Sequence, residues 1–427
     1  MNSSPTNIRR GEARRAMLAA LAWAAILVAP ALGHAQAAGA GDGGVSAFYA
    51  WKDALPATPG KLLRGEPQEE KLALARASRS VRILYSSTNG LDGHSPIAVS
   101  GALYLPRGAP PEGGWPLMAW AHGTVGIADV CAPSWAGRSE RDITYLNHWL
   151  DQGYAVVASD YQGLGTGGGH PYLIARPEAY SVLDSVRAVE GGDFGLSKKV
   201  VIIGQSQGGG AAFAATVFAQ SYAPELDIRG TVATGTPNLS PAGFAANAKA
   251  NAEAADNVSP TFAYVLLILY TIAQTDPSFA IADYVNDKAA ATTQLAKTAC
   301  LGAIEKQVIA EGLTFKNSFK KDPTKPLIAT AALMAYPTLK DGDPNLHGHR
   351  RQGPRCAASR SGAPGQGRLR GGNAHRMALL SGLRPFRDRE RFASGFDAFR
   401  EPGLCRRGDR RQLRGDARRA EIAAMSR

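Results

Sequence analysis

The chain has 427 residues and a formal charge of +12, from 48 Lys and Arg against 36 Asp and Glu. Residues 1–35 carry +3, residues 36–340 carry −2, and residues 341–427 carry +11 from 20 Arg and 9 acidic residues. A near-neutral body excludes a broad basic surface as its main device for holding a partner, and 44% hydrophobic against 20% charged residues excludes disorder across the whole chain.

Arg9, Arg10, Arg14 and Arg15 precede an apolar run from Ala16 to Leu32, and Gly33-His34-Ala35 follows as a small-x-small cleavage site. This is the pattern of a secretory signal peptide over residues 1–35. The run is short for a bilayer span and carries Pro30, so a retained anchor is the weaker alternative. The expected location is therefore secreted or periplasmic, with no stable membrane span after cleavage. In such an oxidising compartment Cys131 and Cys300, the body's two cysteines, are free to pair. Two unpaired buried thiols are the other state the sequence allows.

From residue 80 short β-branched runs alternate with helical stretches. Val81–Tyr85 and Ile97–Leu105 read as a strand pair about a turn at residues 89–93. Pro116–Ala121 ends at His122-Gly123-Thr124, Tyr154–Ser159 ends at Asp160, Val200–Ile203 ends at Gly204, and Gly230–Ala233 is the next strand. Continuous apolar strands belong in a sheet buried on both faces. Glu178–Glu190 sets Ala179, Leu183, Val186 and Val189 on one side at helical spacing, and Gly209–Ala219 is small and apolar. The alternation predicts an α/β fold with a mostly parallel sheet over residues 36–239. Residues 240–327 are Ala-rich and helical, and the apolar stretch Phe262–Ala273 is too short to cross a bilayer. A helical cap over a pocket is expected there, with a return to the core over 328–340; a plain buried core helix is the alternative.

Gly204-x-Ser206-x-Gly208 follows an apolar strand and opens a small-residue helix. That context is the one a nucleophile elbow requires: a strained turn that lifts Ser206 above the sheet edge, with a helix N-terminus favouring negative charge. An oxyanion site would then use the Gln207 amide and the loop at Gly123 and Thr124. His122 reads as a loop-fixing histidine, and Asp160 as either a support for the oxyanion region or an Asx-type loop cap. His170, further along the loop, is a weak candidate. No ligand-spaced His/Cys cluster and no phosphate-loop lysine are present, so neither a metal nor a cofactor is expected.

His122-Gly-Thr, Asp129-Val-Cys-Ala-Pro-Ser134, Asp160-Tyr-Gln-Gly-Leu-Gly165 and Gly204-Gln-Ser-Gln-Gly208 together resemble the secretory lipases of the α/β-hydrolase fold, over about residues 45–340. The resemblance implies an exported carboxylic-ester hydrolase with a helical cap, a lipid or small-molecule ester as substrate, and a Ser-Asp-His triad. Ser206 takes the nucleophile's position. The family's Asp should follow a strand beyond the cap in a Gly-rich loop, and its His should lie in an Asp-His-Ser-Gly-type motif.

Neither motif occurs after residue 340. Residues 341–427 lack Lys, Val, Thr, Tyr and Trp and hold one Ile, a composition poor in strand formers that reads as a disordered tail. Read one nucleotide later, codons allowed by Asp341–Ala358 encode a strand, a Gly turn and an acid loop; those allowed by Leu383–Ser394 encode Phe-Asp-His-Ser-Gly. The tail thus reads as an out-of-frame translation after a one-nucleotide slip near Lys340-Asp341, which leaves the chain as written without its triad Asp and His. An Arg-rich arm for acidic surfaces is the alternative, but it lacks interleaved aromatics, so no nucleic-acid partner is expected. Two further functional readings stay open: a secreted serine peptidase on the same fold, and a non-catalytic binding protein with a basic tail.

Overall fold

The computed structural model describes residues 42–240, 242, 243, 246 and 255–337, and the backbone of 376–380. The expected signal peptide over 1–35, and the tail over 341–427 apart from that pentad, lie outside the described residues.

Three antiparallel strands begin the sheet: β1 (Leu62–Pro67), β2 (Ala77–Thr88) and β3 (Pro96–Pro106). The expected pair around residues 89–93 is β2 and β3, with Val81 opposite Leu103 and Tyr85 opposite Val99. Then follow β4 (Trp115–Ala121), helix α1 (Glu140–Asp151), β5 (Ala155–Ser159), α2 (Ala175–Glu190), β6 (Leu196–Gln205), α3 (Gln207–Tyr222) and β7 (Asp227–Thr234). Helix α1 and strand β1 are not evident as apolar runs; α1 is marked instead by Ser139, whose hydroxyl accepts from the Asp142 amide as an N-cap.

With Arg376–Leu380 as β8, the sheet order is β1-β2-β3-β5-β4-β6-β7-β8, and every pairing from β5 onward is parallel. The chain leaves β4 to build β5 on one side and then crosses back to build β6 on the other. The carboxyl ends of β4 and β6 therefore flank a point where strand order reverses, the place where open α/β sheets gather ligands. All of β5 and nearly all of β4 is buried, which is why these strands are apolar along their whole length.

One pentad departs from the compositional reading of the tail. Arg376–Leu380 forms β8, parallel to β7, with Gly230 opposite Arg376 and Thr234 opposite Leu380. The outer edge of β7 offers a row of unpaired amides and carbonyls, and this is one of the tail's few apolar runs.

Helices α2 and α3 cover one core with Ala179, Val182, Leu183, Val186, Ala211, Ala212 and Ala215, whose small side chains let the helices approach closely. A second core unites α4 (Phe262–Thr275), α5 (Asp287–Thr298), α6 (Leu301–Ala310) and α7 (Thr324–Met334). Leu266, Leu269, Ile304, Val308 and Met334 pack there with Tyr172, Leu173 and Ile174 from the loop after β5. The expected helical region thus sits on a sheet-edge loop, and Tyr336 packs against both cores. No helix among the described residues is long and apolar enough to cross a membrane.

Cys131 and Cys300 are bonded, with Cα atoms 5.4 Å apart. Gly126 pairs with Cys300 in an isolated bridge, and the Leu301 amide donates to the Val125 carbonyl at 2.8 Å. The start of α6 is therefore fastened to the loop that follows Thr124. Replacing both cysteines by Ser is expected to lower the unfolding free energy by about 2–4 kcal/mol in a urea titration, by freeing a long loop in the unfolded chain; an unchanged midpoint would rule the crosslink out.

Candidate active site

Ser206 is the N-cap of α3, at φ 60° and ψ −122°. A non-glycine residue with positive φ is strained by contact of its Cβ with the backbone, at a cost on the order of 1–3 kcal/mol. Two main-chain bonds hold it there: the Ser206 amide donates to the Thr234 carbonyl at 2.8 Å, and its own carbonyl accepts from Gly210 at 3.1 Å. The half-buried side chain stands at the carboxyl end of β6.

The two glycines of the motif have definite reasons. A Cβ on Gly204 would collide with the Gly208 carbonyl, and a Cβ on Gly208 would collide with the carbonyl of Ala121 at the end of β4. The first turn of α3 thus lies against the ends of both central strands. Gly123 sits beside them: a Cβ there would be 3.3 Å from the Gln205 carbonyl and 3.8 Å from the Ser206 Cβ. Gln207 is the first residue of α3, where the helix leaves its opening amides without carbonyl partners of its own. The elbow, Gly123 and the Gln207 amide are therefore neighbours.

Thr124 takes part differently. Its hydroxyl is 2.8 Å from the Tyr172 hydroxyl, which ties it to the loop after β5, and the Tyr172 carbonyl accepts from Thr271 of α4 at 3.2 Å. His122 is buried and stacked on Tyr161, with Nδ1 2.7 Å from the Gly123 carbonyl and Nε2 3.2 Å from the Asp160 carbonyl. Burial drives its pKa down to about 4, against the pull of the two carbonyls; a neutral ring donates to only one of them. It braces the loop and makes no bond to Ser206 among the described residues. The Asp160 carboxylate faces away from the elbow: one oxygen accepts from the Ser134 amide at 2.9 Å, the other from the hydroxyls of Ser134 and Ser100. Its carbonyl, and not its carboxylate, is what touches the His122 loop.

No His or carboxylate bonds the Ser206 hydroxyl among the described residues. His347, His349 and His375, the histidines that follow Ser206 in sequence, lie outside them. No group of three or more His, Cys, Asp or Glu able to hold a metal occurs among the described residues.

Beside the elbow lies a buried polar cluster that the motifs do not announce. The Gln207 side-chain amide is 2.8 Å from Glu178 Oε1 and 2.9 Å from His170 Nε2. The Leu173 amide donates to the same Glu178 oxygen at 3.0 Å, and His170 Nδ1 is 2.9 Å from the Gln162 carbonyl. Burial pushes the Glu178 carboxyl up to about 8, against the pull of its two N–H donors, and pushes His170 down to about 3. A sequence signal for Glu178 exists: it stands four residues before Val182 and eight before Val186, an acid in register with the apolar stripe of α2. The helix begins three residues before the expected Glu178, at Ala175, which puts Glu178 in its first turn and not at its start.

The secretory lipase family model matches residues 136–332. Residues 136–332 are thus similar to the secretory lipases. The chain is 29% identical over 188 residues to lipase A of Moesziomyces aphidis (44% of this chain, 30% of that one). It is 32% identical over 104 residues to lipase 7 of Candida albicans (23% and 24%), and 29% over 190 residues to the probable inactive lipase MT1628 of Mycobacterium tuberculosis (41% and 41%). The matches thus span about a quarter to two fifths of the length of these curated relatives. Candida antarctica lipase A superposes with a TM-score of 0.51 at 22% identity, over 65% of this chain and 64% of that one. The rice cell wall degrading esterase LipA of Xanthomonas oryzae gives 0.50 at 22%, over 65% and 79%. These likenesses establish the α/β-hydrolase fold.

Two outcomes follow from the local chemistry. Ser206→Gly is expected to raise the unfolding free energy by about 1 kcal/mol through relief of the positive φ; urea midpoints measure it, and equal or lower stability would mean the turn stores no strain. Glu178 keeps its proton in the fold up to about 8, while its unfolded value is 4.5. Between those values the unfolded chain releases a proton that the folded one holds, so the fold loses stability as pH rises through that window. Glu178→Gln should therefore gain on the parent chain steadily from pH 4.5 to 8; a pH-independent difference would contradict the buried neutral carboxyl.

Proposed function

We propose that this protein is an exported carboxylic-ester hydrolase, a lipase or esterase, in which Ser206 is the nucleophile. The observation that carries this reading is the Ser206 elbow: a positive-φ serine between β6 and α3, with Gly123 and the opening amides of α3 at its side. The Ser206 oxygen would add to the acyl carbon, and the carbonyl pair would move onto oxygen. The resulting oxyanion would lie against the Gln207 amide and an amide of the Gly123–Thr124 loop, with the α3 N-terminus favouring its charge. Collapse expels the alcohol, which takes up a proton, and leaves an acyl-serine. Water then repeats the addition and frees the acid. Helices α4–α7, seated on the loop that carries Tyr172, would supply the acyl-binding wall. The signal segment over 1–35 would direct export.

In this reading the chain as written lacks the Asp and His that relay the serine proton, because the gene slips by one nucleotide near Lys340-Asp341. The elbow and oxyanion amides alone give only residual catalysis, and restoring the two partners restores several powers of ten. With an activated p-nitrophenyl ester, the chain is expected to release about one p-nitrophenolate per protein slowly, with a fluorophosphonate label on Ser206 and none in Ser206→Ala. Turnover at ordinary lipase rates by this sequence would overturn the missing-partner reading; absence of any Ser206-dependent acylation in the frame-restored chain would overturn the hydrolase reading. Resequencing across codons 340 and 341 tests the slip directly, since the shifted frame must encode both the acid loop and the Asp-His-Ser-Gly motif.

A further inference from the structure

The polar cluster beside the elbow has a hydrogen count that fixes the tautomer of His170. The Gln162 carbonyl can only accept, so His170 carries its proton on Nδ1. With the ring neutral, Nε2 is an acceptor. The Gln207 amide nitrogen has two hydrogens, and its two acceptors are His170 Nε2 and Glu178 Oε1. Both hydrogens are used, and Gln207, Glu178 and His170 are each at least 97% buried. Three segments meet in the cluster: Gln162, His170 and Leu173 belong to the loop after β5, Glu178 to α2 and Gln207 to α3. Leu173 is itself held at φ 66° where its amide reaches Glu178. Much structure converges on one side chain, and that side chain belongs to the residue directly after Ser206.

We propose that Glu178 and His170 are positioning residues for the oxyanion site: together they clamp the Gln207 side chain and so fix the direction of the Gln207 main-chain amide beside Ser206. The inference rests on the hydrolase reading and deepens it. A neutral carboxyl in the clamp holds Gln207 without opposing negative charge at the neighbouring amide, whereas an ionised one repels the forming oxyanion across a dry interior. The titratable groups facing Glu178 are the phenols of Tyr161, Tyr172 and Tyr336, with His170 across Gln207; none of these is cationic, so nothing in the cluster would offset the charge. The high proton affinity of the buried Glu178 places the change near pH 8.

The test is single-turnover acylation of the full chain by p-nitrophenyl butyrate from pH 6 to 9.5, with Ser206→Ala as background. Glu178→Leu is expected to slow acylation at saturating ester by about 30-fold with little change in half-saturating concentration, the effect of misdirecting one oxyanion donor. Glu178→Gln keeps an acceptor oxygen for both amides and is expected to recover the rate to within about threefold at pH 7. Because the glutamine cannot ionise, the rate ratio of Glu178→Gln to the parent should rise about tenfold between pH 7 and 9.5, a change that a purely structural role would not produce. A folded Glu178→Leu protein within twofold of the parent, or a flat ratio, overturns the clamp. If Glu178→Leu does not fold, the ratio decides alone. Ser206-dependent acylation with a flat ratio sinks only the clamp; no Ser206-dependent acylation in any of these chains sinks the clamp together with the hydrolase reading of this chain.

Discussion

The site depends on a close approach of main chain to main chain. Where β6 gives way to α3, the first helical turn rests on the carbonyl ends of β4 and β6, with no room for a Cβ at Gly204 or Gly208. That contact sets the height of Ser206 above the sheet and brings Gly123 to its side. It also forces the serine into positive φ, since the chain must reverse within one residue to enter the helix. The strain persists because a ladder bond to Thr234 and the opening helical bond to Gly210 hold both sides of the turn. The serine is thus held at the head of α3 from two sides.

The interior around this turn is polar yet uncharged. His122, His170 and Glu178 are buried, and desolvation moves each toward its neutral form. Neutral groups brace the loops by hydrogen bonds without adding fixed charge next to the elbow. The carboxylate that does have an oppositely charged neighbour, Asp160 with Arg138, is directed at Ser134 and Ser100 on the far side of its loop. Bracing and charge are thereby separated in space, and the helix terminus of α3 is left as the dominant field at the serine.

Much of this was legible in the sequence. The apolar runs at 116–121, 154–159 and 200–203 mark β4, β5 and β6 because strands buried on both faces cannot afford polar residues. Gly204-x-Ser206-x-Gly208 marks the elbow because only glycine fits where backbones touch. What the sequence leaves unmarked has equally physical causes. Strand β1 is half-exposed and holds Arg64 and Glu66, so it shows no apolar run. The clamp on Gln207 joins residues 162, 170, 173 and 178 to 207, and contacts set by tertiary geometry leave no local period. The direction of the Asp160 side chain turns on its partners Ser100 and Ser134, which lie 60 and 26 residues away. The pairing of Arg376–Leu380 with β7 reflects the demand of an open sheet edge more than any strand-forming character of the tail.

The bond between Cys131 and Cys300 has a topological consequence. It closes a covalent ring that contains β5, α2, β6, the Ser206 elbow, β7 and the helices up to the start of α6. A single backbone cut anywhere inside that ring, including in the stretch between β7 and α4, would leave two fragments still joined through sulfur. Loss of mass on a reducing gel and its retention on a non-reducing one would then report the same molecule, nicked but not parted. The segment from Cys131 to Cys300 is in this sense a macrocycle, and its integrity is carried by one sulfur–sulfur bond as well as by the peptide backbone.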